Sequence, residues 1–395
     1  MTRHALVLGA SGISGWAFTN QLLRNYPRPG VWSQITALSR KPMSEEECLH
    51  WPKDERLRLV SEFDVHNDPE EVLKRKFKEK IPDVNTVTQV YYLVHDPPPN
   101  PNDKDPHAIS LNALRKTVTI LDSLAPSLEF IYLQYGTFIY GLCFPVDFKH
   151  PLPLSESLPQ LPPPFGDVFA FSRLSRFMEE FSADKAWKWC EGRPGDIIGF
   201  VPRLNVYNAV YPVAAYLSLY VYINGREAEC PFPGSFGVWN ALSNDSGADM
   251  IAKAAIHLSV LPDPAIKGQG FNLASSETPW SWDIKWPAIC SWFGLVGTPP
   301  LDKWKDRTES MGPQEYVEAH KSEWNRMVEE YGLKGWTVIS PTMDPSDKNW
   351  ALTKLNADAP LSLQKLKSTG FSEEEDPKLS WFTALERMRI AKVIP

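Results

Sequence analysis

Cysteine is scarce and scattered along the chain. The five thiols, Cys48, Cys143, Cys190, Cys230 and Cys290, are odd in number, form no CxxC and show no zinc-ligand spacing. That excludes a disulfide framework and predicts reduced thiols with no metal site. Long hydrophobic runs are also missing. The longest, Val210 to Ile223, is interrupted by Pro212 and several tyrosines and does not reach membrane-spanning length. The formal net charge is −7, and the Lys/Arg residues at 74–80 belong to a helix rich in both Lys and Glu, which argues against nucleic acid or an anionic membrane as the main partner. Met1-Thr2-Arg3-His4 leads straight into an apolar strand without a signal-peptide pattern, so the expectation is a soluble, cytoplasmic protein. What is abundant is proline, 36 residues, and tryptophan, 15 residues, in a chain of 395 that is 43% apolar. The length provides an ample core, the prolines imply long rigid loops, and the tryptophans suggest aromatic cavities as well as ordinary packing.

The first third alternates short apolar runs with amphipathic stretches. Ala5 to Leu8, Ile35 to Leu38, Leu57 to Val60, Val90 to Val94 and Phe130 to Leu133 read as strands. Helical patterns between them run from the Gly9–Gly15 turn to about Arg24, from Pro69 to Lys80 and from Ile109 to Leu124. Strand and helix alternating at this spacing predict βαβ units, hence an α/β fold: a Rossmann-type, doubly wound parallel sheet with its ligand crevice at the strand C-termini. A Pro-rich stretch over about 145–165 is long enough to act as a lid. A helix over Val168 to Ala186 and a strand over Trp187 to Glu191 then return the chain to the sheet. Beyond Pro202 the pattern becomes mainly helical, with helices over Asn205 to Ile223, Gly247 to Val260, Trp282 to Phe293 and Pro313 to Glu330, and a loop over Pro231 to Trp239. We therefore expect a dinucleotide-binding domain over 1–202 and a mainly helical substrate cap over 203–395, some of whose strands return to the core.

Gly9-Ala10-Ser11-Gly12-Ile13-Ser14-Gly15 is a GxxGxxG turn placed between an apolar strand and an amphipathic helix. Glycines there permit the sharp turn and close backbone approach that a pyrophosphate on a helix N-terminus requires. At the end of the second strand, Ser39-Arg40-Lys41 offers cations where NAD-binding chains carry a carboxylate, which favours the extra phosphate of NADP(H). Asp64 follows the third strand and is placed to meet the adenine amino group. Ser11, Ile13, Val65, Val94, Pro194 and Ile197 complete the expected cofactor contacts.

Several longer segments resemble one family in chain order. Arg193-Pro194-Gly195-Asp196-Ile197-Ile198-Gly199-Phe200-Val201-Pro202 is similar to the RPGxIxGxxP segment of the progesterone 5β-reductase/iridoid synthase-like (PRISE-like) enzymes, which are extended short-chain dehydrogenases. Leu133-Gln134-Tyr135-Gly136-Thr137 resembles their LQTG run, Asp249-Met250-Ile251-Ala252 their DLIA, Gly270-Phe271-Asn272 their AFN, and Ser380-Trp381-Phe382 through Pro395 their ending. The resemblance implies an NADPH-dependent reductase in which a Tyr and a Lys stabilise the oxygen that gains charge during hydride transfer. Carried over by position, Phe138 falls where the family's TGxKHYxGP run has Lys, and Phe171 where its NFYY run has the catalytic Tyr. No Lys lies between Thr137 and Phe144 and no Tyr between Pro151 and Trp187, so a shifted alignment does not restore the pair.

Three other polar groups are then candidates for catalysis: Tyr135, Tyr140 and His95 with Asp96 beside it. Phe138 and Phe171 are expected to line the substrate chamber, with Tyr207 and Trp239 from the cap. In the cap, Tyr207 and Tyr211 share one helix face, as do Tyr216 and Tyr220, a stripe that also suits plain core packing. The leading functional expectation is an NADPH-dependent reductase of a C=C, iminium or carbonyl group in a bulky natural-product intermediate of secondary metabolism. A cyclase or isomerase that retains the cofactor and works by orientation, and a non-catalytic NADP(H) sensor, are the alternatives. The expected partner is a small hydrophobic or polycyclic molecule, and the chain is expected to be a monomer or homodimer.

Overall fold

In chain order the strands are β1 (Arg3–Leu8), β2 (Trp32–Leu38), β3 (Leu57–Val60), β4 (Gln89–Tyr92), β5 (Phe130–Gln134), β6 (Lys188–Pro194), β7 (Ile197–Ile198), β8 (Glu229–Pro231), β9 (Ser246–Gly247), β10 (Gln269–Leu273) and β11 (Val296–Thr298). The structure is a computed structural model describing residues 2–94, 105, 107–142, 144, 150–203, 205, 208–301, 312–335 and 356–395. Seven strands form one sheet in the order β10-β6-β5-β4-β1-β2-β3, every neighbouring pair parallel. The 3-2-1-4-5-6 core of this order is that of a dinucleotide-binding Rossmann sheet, and its order reverses between β1 and β4. The expected doubly wound parallel sheet is thus what the chain forms.

Both faces of the sheet are covered, so its strands are apolar on both sides. On one face Ala5, Val7, Ile35, Ala37, Phe130 and Tyr132 pack beneath α1 (Ile13–Leu23), whose Trp16, Phe18 and Leu22 are fully buried. On the other, Leu6, Leu8, Leu38, Val90, Ile131 and Leu133 meet α2 (Glu70–Lys80), α3 (Ala108–Leu124) and α4 (Phe171–Ser182) through Leu73, Phe77, Leu114, Val118, Leu121, Leu174 and Met178. Burying each such side chain contributes roughly 1.5–3 kcal/mol before ordering costs.

The later chain supplies α5 (Val210–Asn224), α6 (Phe236–Asn240), α7 (Ala248–Val260), α8 (Trp282–Trp292), α9 (Pro313–Ala319) and α10 (Lys321–Tyr331), then the helices Gln364–Ser368 and Pro377–Ile390. Of these, α7 packs on α1, and β10 extends the sheet beyond β6. Phe232, Trp282, Trp286, Trp239 and Trp381 form an aromatic cluster where α6, α8 and the C-terminal helix meet.

Several boundaries differ from the sequence reading for local reasons. The helix expected from Val168 starts at Phe171, because Phe165–Asp167 forms a separate 3-10 turn. The tyrosine-rich helix starts at Val210, where the Asn208 side chain accepts hydrogen bonds from the N–H groups of Val210 and Tyr211. The loop read from Pro231 to Trp239 contains most of α6, capped by Ser235. The helix read from Pro313 to Glu330 breaks at His320, whose ψ of 36° leaves the helical range.

Part of the Pro-rich stretch is tied down. Leu154 bridges to Leu361, with Leu154 N–H donating to the Pro360 carbonyl at 2.7 Å and Ser362 N–H to the Leu154 carbonyl at 2.8 Å.

Candidate active site

The turn after β1 is shaped by its glycines. Gly9 has φ of 89°, and a Cβ there would stand 2.4 Å from the Leu93 carbonyl oxygen at the end of β4. A Cβ on Gly15 would stand 2.1 Å from the Gly9 carbonyl oxygen, so α1 closes on the turn only because residue 15 lacks a side chain. Gly12 caps α1 with no side chain bonded to the helix end, and the first turn carries no acidic residue. Ser11 is half-buried and Ile13 buried. The N–H groups of Gly9, Ala10 and Gly12 are used in backbone hydrogen bonds, so what fits a pyrophosphate here is the positive first turn of α1, with no carboxylate in it to repel the anion.

At the end of β2, Ser39 donates through its hydroxyl to the Lys41 carbonyl at 2.7 Å, which fixes the turn. Arg40 and Lys41 are exposed and form no ion pair among the described residues. Asp64 accepts hydrogen bonds from the N–H groups of His66 and Asn67 and from the Asn67 amide. Burial works to raise its pKa, but the Asn67 and His66 hydrogen bonds and the Arg40 charge hold the carboxyl below its ordinary range. Val65 is buried, and Val94 is partly buried against the same core.

At the ends of β5 and β6 the geometry is tight. Tyr135 N–H donates to the Gly192 carbonyl at 2.8 Å, and a Cβ on Gly136 would lie 3.6 Å from the Pro194 carbonyl oxygen. Pro194 is buried and Ile197 half-buried. Gln134 donates to Ser14 Oγ at 2.6 Å, while its buried Oε1 has no protein partner among the described residues. An acceptor of this kind, unpaired beside the glycine turn, fits a bound ligand.

Four aromatic rings stack in series beside these strand ends. Tyr135 packs on Phe171 with centroids 4.8 Å apart, Phe171 on Phe169 at 5.4 Å, and Phe169 on Phe138 at 5.6 Å. The three phenylalanines are half-buried, so the column leaves part of its ring surface accessible beside the ends of β5 and β6. Positions 138 and 171, drawn from two separate elements, are thereby brought into one structure.

Behind the column runs a buried polar chain. Ser175, one turn after Phe171 on the same face of α4, donates to Glu191 Oε2 at 2.7 Å, and its Oγ lies 3.2 Å from the Tyr135 phenol oxygen. Glu191 Oε1 accepts from Arg193 Nε and Nη2 at 2.9 and 2.6 Å. Arg193 Nη1 donates to the Tyr140 oxygen at 3.2 Å, and Tyr140 donates its own proton to Asn272 Oδ1 at 2.6 Å. Burial pushes the Tyr140 phenol up to about 12, although Arg193 pulls the other way. Its proton is therefore engaged inside the protein. The Asn272 amide continues the chain to the carbonyls of Leu154 and Ser362, and Glu156 accepts from Asn272 N–H.

His95 and Tyr207 lie outside the described residues. Trp239 is buried and packs against Phe232, 5.2 Å between centroids. Tyr211 and Tyr216 are buried in the core, and Tyr220 donates to the Glu229 carbonyl. No group of three or more His, Cys, Asp or Glu close enough to hold a metal ion occurs among the described residues, nor does any helix long and apolar enough to cross a membrane.

Gln134, Ser175, Glu191 and Asp196 escaped the sequence reading. The spacing of Ser175 from Phe171 was an available signal, as was a carboxylate standing between two expected cofactor positions at 194 and 197.

The PRISE-like Rossmann-fold domain matches residues 5–395 of this chain. The short chain dehydrogenase ausT of Aspergillus calidoustus is 35% identical, over 99% of this chain and 94% of its own length. The short chain dehydrogenase sirQ of Leptosphaeria maculans is 32% identical over 99% and 97%. An (S)-8-oxocitronellyl enol synthase of Nepeta cataria is 24% identical over 99% and 91%. Among solved structures, the terminal R domain of the myxalamid PKS-NRPS pathway superposes with a TM-score of 0.61 at 16% identity, covering 100% of this chain and 93% of that one. The UDP-glucose 4-epimerase of Thermus thermophilus, in complex with NAD, gives 0.58 at 14% identity over 98% and 99%. The shared sheet in these two establishes the fold. With a family model spanning nearly the whole chain and relatives above 30% identity along their full length, this protein belongs to the PRISE-like Rossmann-fold family and is an enzyme of the short-chain dehydrogenase type.

Proposed function

We propose that the protein is an NADP(H)-dependent reductase acting on a C=C, iminium or carbonyl group of a bulky, hydrophobic intermediate in secondary metabolism. The observation that carries this reading is the glycine cradle, whose two tightest positions admit no Cβ and whose helix end is free of carboxylates. Arg40 and Lys41, exposed and without an ion pair among the described residues at the end of β2, suit a second phosphate, with Ser39 fixing their turn. Asp64 and Val65 would meet the adenine, and Val94, Pro194 and Ile197 would flank the nicotinamide half.

The bound cofactor supplies a hydride. The chain supplies position and surroundings: the Tyr135–Phe171–Phe169–Phe138 column offers flat apolar surface, excludes water and orients a ring-containing substrate. Relatives named as short chain dehydrogenases and as an enol synthase support hydride chemistry in natural-product assembly. The same column, shape-defining and apolar, also favours a second reading, an orientation-driven cyclisation with the cofactor retained.

One assay separates these readings. Purified protein is mixed with NADPH and a panel of enone, ketone and iminium compounds, and absorbance at the reduced nicotinamide band is followed with product mass. Stoichiometric loss of NADPH with a product two hydrogens heavier supports the reductase. A rearranged product of unchanged mass with no net NADPH consumed supports cyclisation, and failure to bind NADP(H) at all overturns both.

A further inference from the structure

Asp196 stands where β6 ends at the crevice, two residues past Pro194, whose carbonyl abuts Gly136 between Tyr135 and Phe138. Its backbone carbonyl is used, accepting from Ser246 N–H at 2.9 Å. Its side chain is only partly exposed, and its carboxyl has no hydrogen-bond partner among the described residues. On β6, just before it, Glu191 pairs with Arg193, and Lys188 at the far end donates to the Leu261 carbonyl.

A second carboxyl faces it from the segment before β9. Asp245 is fully engaged: Lys285 from α8 donates to Oδ1 at 2.7 Å, and the Trp381 indole of the C-terminal helix donates to Oδ2 at 2.7 Å. Lys285 is itself 2% exposed, held over the rings of Trp280 and Trp282 at 5.2 and 5.1 Å, and reaches Ser243 Oγ at 3.3 Å. The one ammonium is therefore committed to Asp245. Trp280, whose ring Lys285 covers, carries a buried indole N–H with no partner among the described residues. An unpaired carboxyl and an unpaired N–H around one buried ion pair are polar groups left for a ligand.

We propose that Asp196 is the general acid of the site, delivering the proton that the reduced substrate needs where Phe138 and Phe171 have none to give. The proposal rests on the reductase reading above. Of the two neighbouring carboxyls, Asp245 is held by Lys285 and Trp381 while Asp196 has no such partner among the described residues, an asymmetry that suits Asp196 to proton transfer. Burial, and next the Asp245 charge, push Asp196 up to about 6, against the pull of Lys285. It therefore exchanges a proton near neutrality. A bound NADPH would supply the hydride for the new C–H bond at the electrophilic carbon of an enone. The π electrons move toward the carbonyl oxygen, the Asp196 O–H breaks, and its proton closes the substrate's charge. The carboxylate regains a proton from water, so each turnover consumes one NADPH and one proton.

Two measurements test this. NADP-bound protein is treated with a diazoacetamide, which esterifies protonated carboxyls only, and labelled sites are mapped by mass spectrometry. Half-maximal labelling of Asp196 near pH 6, with surface acids unlabelled there, is expected; no ester at Asp196 above pH 5 overturns the assignment. In parallel, NADPH oxidation is followed with 2-cyclohexen-1-one, which needs a proton, and with N-methyl-3,4-dihydroisoquinolinium, which needs none. Asp196→Asn is expected to lower the enone-to-iminium rate ratio at least thirtyfold, and Asp196→Glu to restore part of it. An equal fall for both compounds means a structural role and rejects the acid. A wild-type protein that labels at Asp196 but oxidises NADPH with neither compound instead overturns the reductase reading, and the acid with it.

Discussion

Tyr135 and Phe171 stack with ring centroids 4.8 Å apart and planes 24° apart, although they come from the end of a strand and the start of a helix. The phenol oxygen of Tyr135 lies beside Ser175, so the pair joins an apolar face to a polar interior. Removing the Phe171 ring leaves Tyr135 and Phe169 each without that stacked neighbour. Phe171→Ala is expected to cost about 1–3 kcal/mol in urea unfolding, less than a fully buried ring because the site is half-exposed. Phe171→Tyr keeps both stacks and should unfold within about 0.5 kcal/mol of wild type.

Arg40 tests the cofactor. Among the described residues Arg40 has no ion pair to lose, only its charge near Asp64, so Arg40→Ala should change folding by less than about 0.5 kcal/mol while weakening NADPH binding about ten- to hundredfold and NADH binding less than threefold. Fluorescence titration of both nucleotides checks this, and equal losses would remove the NADP assignment.

Gly15 tests the cradle. The added methyl of Gly15→Ala would press on the Gly9 carbonyl oxygen from 2.1 Å and on Ala10 Cα from 2.8 Å. The turn must open, at a cost of about 1–3 kcal/mol, and NADPH affinity should fall at least tenfold. Wild-type affinity in this variant would show that the pyrophosphate does not lie there.

Asp196 carries a pH signature in stability. Its folded-state pKa, about 6, stands above the ordinary 3.8. The native state thus holds the proton more tightly, and the group costs stability increasingly as pH rises from about 4 through 6, with no cost below. Asp196→Asn should therefore melt about 1–4 °C higher than wild type at pH 8, from roughly 1–2 kcal/mol after allowance for partial exposure, and show no difference at pH 4. Scanning calorimetry at both pH values decides it; a lower melting temperature at pH 8 contradicts the raised value.

Asn272 holds three segments at once. Asn272→Ala strips the Tyr140 phenol and the Leu154 and Ser362 carbonyls of a partner. The Leu154 carbonyl keeps the Ser362 N–H and the phenol oxygen keeps Arg193, so the loss falls on the Tyr140 proton and the Ser362 carbonyl and should cost about 1–3 kcal/mol. Limited proteolysis should then cut first near residues 150–158, and an unchanged cleavage pattern argues against the tether.

The fold was legible where chemistry is local. An apolar tetrad, a glycine turn and a helix sit within the first 23 residues, and the first five strands of the parallel sheet announce themselves as short apolar runs, whereas the mixed residues of β10 give no such signal. The glycine cradle and the Arg40–Lys41 pair were legible for the same reason. The chain Tyr135–Ser175–Glu191–Arg193–Tyr140–Asn272 was not, because each link joins residues from different elements and no spacing rule predicts which hydroxyl meets which carboxylate. Tyr140, chosen for its place in the run after β5, is found with its proton given to Asn272. Asp196 was passed over because what sets it apart, Asp245 and Lys285, arrives from distant sequence. Helix starts were misread wherever a side chain or a 3-10 turn intervened, as at Asn208 and Phe165–Asp167.

The seventh strand has a consequence for how the chain is made. Because β10 seals the edge of β6 and α7 packs on α1, a nascent chain that has emerged only as far as Pro202 bears an open strand edge and a bare apolar flank of α1. The first 202 residues cannot complete the sheet on the ribosome until some seventy further residues have followed them. Over that interval the uncovered edge and apolar flank favour misassociation, and slow synthesis through the 203–273 stretch should be felt as lost yield of the entire enzyme.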